Sequence, residues 1–385
     1  MKIAVISDTH LGFDYSGERS DDSFIAAEEA IDKAIAEKVD LIILPGDLFD
    51  SRVPKPDVFV RAMRIFSKPL VFGHSNVRLV ENDKYVSKLS LIGIPMIAIH
   101  GTHERRATDL MNPIEALEHA GIMIHLHLNH VVFEKHGERI AIHGMSGVPE
   151  RYAGPILKDW NPKPVKDAVN ILMLHQSIDP FIYSPNEPPT IKLEDLPDGF
   201  DLYIDGHIHE RKIHEFDLAG HKRKLLICGS TIQTQLKKES RKGFNIISVE
   251  NGKIGIKFIE LENQRDVYIF DINNEKELKQ TEEFLRNLPA KKLKPVVRIK
   301  LNKDIDDTGL KTIQADAIVS ITKNVKEEMK IKKINVGEVP IEELGIKILE
   351  EKAGPLAEVL FDMLLEGKID ESFSMLFEKY SEESK

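Results

Sequence analysis

The chain has 385 residues, 42% hydrophobic and 30% charged, with a formal net charge of −10. This composition excludes a disordered or fibrous chain and leaves room for two or three domains. One cysteine, Cys228, excludes an internal disulfide framework, and no apolar run approaches the ~18 residues of a membrane span. With no signal-peptide pattern at the N-terminus, a cytoplasmic protein is expected.

Residues 2–7 form an apolar, β-branched run that reads as a buried strand delivering Asp8 and His10 to a loop. Residues 21–38 then predict a helix, with an acidic start and Phe24, Ala27, Ile31 and Ile35 at helical spacing. A second strand at 41–44 ends in Pro45-Gly46-Asp47, and strand–helix–strand alternation argues for α/β layering. A helix over 57–66 is expected to stop at Lys68-Pro69. The run 96–99 leads into Gly101-Thr102-His103-Glu104. Asn112-Pro113-Ile114-Glu115 combines an N-cap, proline at the first helical position and glutamate at the third, and that helix should end near Gly121.

Strand-like runs at 122–126, 131–134 and 139–143 predict a second sheet. Residues 148–164, with proline, glycine and the single tryptophan, read as an irregular surface loop, as do residues 185–199. The run 171–174 ends at His175, and 202–204 ends at Asp205-Gly206-His207-Ile208-His209. Strands are expected at 211–217, 224–228, 244–249 and 255–260, with Gly229-Ser230-Thr231 between the second and third.

Composition shifts after about residue 265. Residues 267–270, 275–287 and 296–301 predict a small β-α-β unit, with a further strand at 317–321. The Lys/Glu-rich stretch 324–335 reads as a linker or solvated helix. Segments 341–351, 355–366 and 370–380 carry Leu356, Leu360, Met363, Leu364, Phe373 and Phe377 at helical spacing. The expected division is 1–265, 266–330 and 331–385.

Five apolar runs thus end in His or Asp. In an open α/β sheet, ligand sites form beyond the carboxyl ends of the strands, so these residues can converge at one edge. Histidine and carboxylate suit Mn²⁺, Fe or Zn²⁺, and the absence of thiolates argues against a structural zinc site. Asp47 is the natural bridging carboxylate. Two ions ~3.5–4 Å apart can hold a phosphate, activate water and stabilise a leaving oxygen, which is what phosphodiester hydrolysis needs. Asp8-x-His10 or Gly46-Asp47 alone would be a weak signal; all five elements in order are a specific one. His74, His125, His127, His214 and His221 read as surface or structural residues, and Cys228 as core.

Net charge does not exclude an anionic partner, because bound cations would cancel the charge of their own ligands. Basic residues are also locally dense at Lys237-Lys238, Arg241-Lys242 and Lys291-Lys292-Leu293-Lys294. Aromatic residues do not interleave with them, which argues against a base-stacking platform.

Asp8-x-His10, Gly46-Asp47, Gly101-x-His103-Glu104, His175 and Gly206-His207-x-His209 resemble the signature of the metallophosphoesterase superfamily. Asp8-Thr9-His10-Leu11-Gly12, Gly229-Ser230-Thr231 and the domain layout are similar to its SbcD-type branch, nucleases of double-strand-break repair that partner an SMC-like ATPase. The motifs cover roughly residues 1–235. The resemblance implies an α/β fold: a two-sheet sandwich flanked by helices, a small α/β capping domain and a C-terminal helical tail. It implies two Mn²⁺ ions, one on Asp8, His10, Asp47 and His209, the other on Asp47, His175 and His207. His103 would act on the leaving oxygen. It further implies endonuclease action on single strands and 3′–5′ exonuclease action on duplex ends, a homodimer, and a tail that binds the ATPase.

One position departs from the pattern. The family has Gly-Asn-His where this chain has Gly101-Thr102-His103, so the second metal site receives a neutral hydroxyl in place of an amide carbonyl. A working but weaker second site is expected. The rival readings are a small-molecule phosphatase or cyclic-nucleotide phosphodiesterase, and a scaffold subunit whose metal site has decayed.

Overall fold

Strands buried on both faces read as continuous apolar runs, and the two sheets at the centre of this protein are built from such runs. The computed structural model describes residues 1–107, 110–182, 191–235, 241–302, 305, 308–313 and 316–324. The expected helical tail, the linker beyond 324, Lys237-Lys238 and residues 185–190 lie outside the described residues.

In the first sheet Lys2–Val5, Leu41–Pro45, Met96–Ile99 and Ile124–His125 run parallel, and Gly243–Glu250 and Lys253–Glu260 extend it antiparallel beyond Lys2–Val5. In the second sheet Glu138–Met145, Val169–Leu174, Leu202–Asp205 and His221–Ile227 run parallel. Lys212–Leu218 flanks one side, and Asn129–Lys135 and then Arg78–Asn82 the other, each antiparallel to the strand it pairs with on its inner side.

Side chains alternate across each strand, so each sheet feeds two cores. Ile3, Val5, Leu41, Ile43, Ile97 and Ile99 face Phe133, Ile142, Ile171, Met173 and Ile204 between the sheets. The opposite residues, Ala4, Ile6, Ile42 and Leu44, pack under the helices Asp22–Ala36, Pro56–Phe72 and Pro113–His119. Leu172, Leu174, Tyr203 and Leu225 do the same under the helix Glu150–Trp160. The result is the expected helix–sheet–sheet–helix sandwich.

Pro113–His119 starts as predicted: the Asn112 side chain accepts from the Ile114 and Glu115 amides, and Glu115 reaches back to the Asn112 amide. Two expectations are corrected. Pro56–Phe72 runs through Pro69, because that proline falls in the last turn and forfeits one bond, while its carbonyl takes the Gly73 and Ile94 amides. Residues 150–160 form a helix where a loop was expected. Ala153 and Leu157 are buried against the second sheet, and that contact outweighs the interior Pro155.

Val267–Ile272 and Val296–Asn302 pair in parallel across the helix Glu275–Arg286, with Ile318–Asn324 on the far side of Val296–Asn302. This small sheet has its own core of Ile272, Leu278, Leu285, Val297, Ile299 and Leu301. Among the described residues, no helix is long and apolar enough to cross a membrane.

Candidate metal centre

The parallel strands of both sheets release their chains at the same edge of the sandwich. Asp8 and His10 follow Lys2–Val5, Asp47 follows Leu41–Pro45, and Thr102 and His103 follow Met96–Ile99. His175 directly follows Val169–Leu174, and His207 and His209 follow Leu202–Asp205. Candidate ligand atoms then lie within 4.8 Å of one another in three groups: Asp8, His10 and His209; His10, Asp47 and His103; and Asp47, His175 and His207. His10 and Asp47 each belong to two of these groups, and Asp47 is the one that links His10 to His175 and His207.

Tight local backbone makes this convergence. Asp8, His10, Asp47 and His207 adopt positive φ of 51°, 45°, 50° and 69°. Such conformations cost on the order of 1 kcal/mol or more each and gather where geometry must be fixed. Gly46 and Gly101 explain the glycine before Asp47 and the one two residues before His103. A Cβ on Gly46 would lie 2.4 Å from His175 Nδ1, and one on Gly101 would lie 2.1 Å from Asp47 Oδ1.

Several of these side chains are held from behind, as metal ligands usually are. His175 Nδ1 donates to the Pro45 carbonyl at 2.7 Å, which turns Nε2 toward the centre. That buried Nε2 makes no hydrogen bond and lies 3.2 Å from Asp47 Oδ2, a position suited to a cation. His10 Nδ1 meets Asp50 Oδ1 at 3.1 Å, and His209 Nδ1 meets Thr234 Oγ1 at 3.0 Å. Their Nε2 atoms are thereby turned toward each other, 3.0 Å apart. Asp8 accepts from Ser7 Oγ and the His207 amide; Asp47 accepts from the His103 amide at 2.9 Å and Thr102 Oγ1 at 3.3 Å. Glu104 is fully buried and ties two loops by accepting the Phe49 and Gly101 amides, both at 2.8 Å.

Electrostatics show how crowded the centre is. Burial pushes the Asp8 carboxyl up to about 6, against the pull of His175. Burial acts the same way on Asp47, yet the His175 imidazole holds that carboxyl well below the carboxylate range. Burial also works against charging His175, but Asp47 raises it to about 10. His209 is pushed down to about 2 by burial and by His10. Converging carboxylates and imidazole lone pairs of this kind fit divalent cations, and nitrogen with oxygen suits a transition metal.

His103 differs from the rest. Its side chain is 45% exposed, its Nδ1 lies 3.1 Å from the Asp50 carbonyl, and its ring meets His10 edge-on at 4.8 Å. It opens onto a cleft of about 540 Å³ lined also by Asp50, Arg52, Thr102 and Arg105.

Asp50, Thr234 and Ser7 escaped the sequence reading. Only Asp50, three residues after Asp47, carried a signal. His74 is exposed; His214, expected at the surface, is half-buried between Phe181 and Phe216. His125 and His127 form a separate group with His100. His100 Nδ1 lies 3.0 Å from His125 Nε2 and accepts from Asn112 Nδ2 at 3.3 Å; His125 Nε2 also meets Ser146 Oγ at 3.3 Å. The His127 ring lies 5.5 Å from that of His100.

Residues 1–211 match the calcineurin-like phosphoesterase family. Among the chain's relatives are proteins named DNA double-strand break repair protein Mre11. That of Sulfolobus acidocaldarius is 27% identical over 401 residues, covering 100% of this chain and 95% of that protein. That of Thermoplasma acidophilum is 28% identical over 331 residues, covering 80% and 78%. That of Methanopyrus kandleri is 25% identical over 295 residues, so the match covers 72% of this chain but 60% of the relative. The family match takes in more than half of the chain and the whole strand-end cluster of Asp and His; the chain belongs to the calcineurin-like phosphoesterases.

Proposed function

We propose that this protein is a two-metal DNA nuclease of double-strand-break repair, cutting single strands internally and duplex ends from 3′ to 5′. The observation that carries the reading is the sharing of Asp47 between two ligand groups, with His103 set off toward an open cleft. Similarity to the Mre11 proteins supports DNA as the substrate.

Asp8, His10, Asp47 and His209 would hold one Mn²⁺, and Asp47, His175 and His207 the other, with Thr102 beside the second. When bound, such a pair neutralises phosphate charge, lowers the pKa of a water and orients an in-line displacement. His103 then acts as general acid toward the leaving oxygen. The Asp50 carbonyl accepts a hydrogen bond from its Nδ1 at 3.1 Å, which leaves Nε2 for the cleft. Contacts of this kind are to the backbone phosphate, so no sequence preference is expected.

Residues 1–265 would be the nuclease body, 266–330 a cap that steers DNA, and 331–385 a linker and helical segment that binds the coiled coil of an SMC-like ATPase. A second copy of the chain would dock through helices of the nuclease body.

The test is cleavage of end-labelled single-stranded and duplex DNA in Mn²⁺, Mg²⁺ or EDTA, with His103→Ala alongside. Manganese-dependent cleavage that falls ~10²–10⁴-fold in the variant is expected. Hydrolysis of a small phosphodiester without DNA cleavage would make the protein a small-molecule enzyme. Inactivity on both would make it a scaffold.

A further inference from the structure

Among the proposed ligands, His209 is held at two points, and both lead to the same place. Its ring is set by Thr234, and its main-chain carbonyl receives Lys242 Nζ at 2.8 Å together with the Ser230 amide at 3.2 Å. Lys242 is 5% exposed, an unusual site for an ammonium group. Its own backbone is clasped from both sides by one side chain. The Lys242 amide donates to Gln264 Oε1 at 2.7 Å, and Gln264 Nε2 donates to the Lys242 carbonyl at 2.9 Å.

The neighbouring Arg265 makes the second connection. Its guanidinium donates to Asp22 Oδ1 at 2.7 Å, to the Glu18 carbonyl at 3.1 Å and to the Lys294 carbonyl at 2.7 Å. Lys294 lies just before the central strand of the small sheet, Val296–Asn302. The other Asp22 oxygen accepts from Arg19 Nε at 3.0 Å, and Arg19 Nη2 donates to the Gln233 carbonyl at 2.5 Å. Gln233 precedes Thr234. One path therefore runs from Arg265 through Asp22, Arg19 and Gln233 to the His209 ring. The other runs from Gln264 through Lys242 to the His209 carbonyl.

We infer that the junction at residues 261–265 sets how tightly the site containing His209 holds its cation, with Lys242 and Arg265 as positioning residues that couple the small sheet to the metal centre. This rests on His209 being a metal ligand. Partners that orient a ligand typically change metal affinity 10–100-fold when removed. A shift of the small sheet pulls on Arg265 and Gln264 together and reaches the metal centre without touching the DNA cleft.

Mn²⁺ titration of the full chain, followed by the electron-paramagnetic-resonance signal of free Mn²⁺, reads this without any activity assay. In Lys242→Met, one of the two sites should weaken ~10-fold or more while the other keeps its affinity. Arg265→Gln should weaken the same site less, and Lys242→Arg should restore it. Thr234→Val, an isosteric change, provides the same reading should Lys242→Met not fold. Wild-type affinities in both Lys242→Met and Thr234→Val would overturn the inference. So would a loss that merely tracks the unfolded fraction seen by circular dichroism. Wild-type protein that binds two Mn²⁺ but leaves DNA intact would sink the nuclease reading and leave the coupling standing. Wild-type protein that binds no Mn²⁺ would sink both.

Discussion

Two groups of imidazoles sit near the same edge of this sandwich, and among the described residues only one of them gathers with carboxylates into candidate metal-ligand groups. His10, His175, His207 and His209 have Asp8 and Asp47 among them. His100, His125 and His127 have Asn112 and Ser146 as hydrogen-bond partners. Burial is the largest influence on both groups and always disfavours the charged ring. In the second group nothing reverses it: His100 is pushed down to about 3, and His125 lies well below the ordinary histidine value. In the first group the carboxylates raise His10 and His175 above that value, while His209, beside His10, stays well below it. Clustered histidines alone therefore make a neutral, hydrogen-bonded core. Aspartates delivered from strand ends add charge to the same kind of cluster.

Removing the shared carboxylate should erase that difference, with the largest effect of any single change. Asp47→Asn is expected to abolish tight Mn²⁺ binding at both sites and to reduce DNA cleavage by at least ~1000-fold, since such ions supply several kcal/mol of transition-state stabilisation. His125→Phe should leave Mn²⁺ binding unchanged. Two intact sites in an Asp47→Asn titration would show that the imidazoles suffice and that the contrast has another cause.

Acid should reveal the depressed histidines through stability. A histidine whose folded pKa is depressed contributes stability that is fully present above about 6.5 and is lost as pH falls through the folded value. His125 is of this type, as is His143, 2% exposed and pushed down to about 4 by burial. For His143 the loss between pH 6.5 and 4 should reach ~3 kcal/mol. Urea midpoints between pH 7 and 4.5, taken in chelator so that metal release plays no part, should fall in wild type and fall less steeply in His143→Phe. Equal slopes would place the acid sensitivity outside His143.

How much of this was legible in the sequence depends on what each residue packs against. Residues 2–7, 41–44, 96–99, 171–174 and 202–204 read correctly as strands because both faces of both sheets are covered. Their terminal Asp and His residues stood out against those apolar runs. The strand Arg78–Asn82 was invisible: it is a mostly exposed edge strand with no apolar period. The helix Glu150–Trp160 was masked by Gly154-Pro155, which locally favour a break that burial of Ala153 and Leu157 overrides. Thr234 and Lys242 act on His209 only across space, so no spacing announces them. Asp50 falls between these cases.

Asp50 sharpens the comparison at the level of orientation, because its carboxylate turns His10 and its carbonyl meets His103. Asp50→Asn keeps the carbonyl and the shape and removes the charge. Mn²⁺ affinity at the site containing His10 should drop ~10–100-fold, about 1.4–2.7 kcal/mol, by the usual cost of losing a partner that orients a ligand. The site containing His175 should not change, because its imidazole is fixed by Pro45. Weakening of both sites alike in calorimetric titration would mean that Asp50 acts through overall charge and not through the His10 ring.

The smallest expected effect concerns Thr102, where a hydroxyl stands beside Asp47 Oδ2 at 3.3 Å. A neutral hydroxyl already occupied with a carboxylate is a poor donor to a cation, whereas an amide carbonyl presents a strong oxygen at similar reach. Thr102→Asn should therefore tighten the weaker of the two Mn²⁺ sites by up to ~10-fold, about 1.4 kcal/mol, and leave the stronger one alone. The gain should appear as cleavage that saturates at lower Mn²⁺ with an unchanged maximum. Two sites of equal affinity in the wild-type titration would refute it at once, because Thr102, or water in its place, would then already complete the second site.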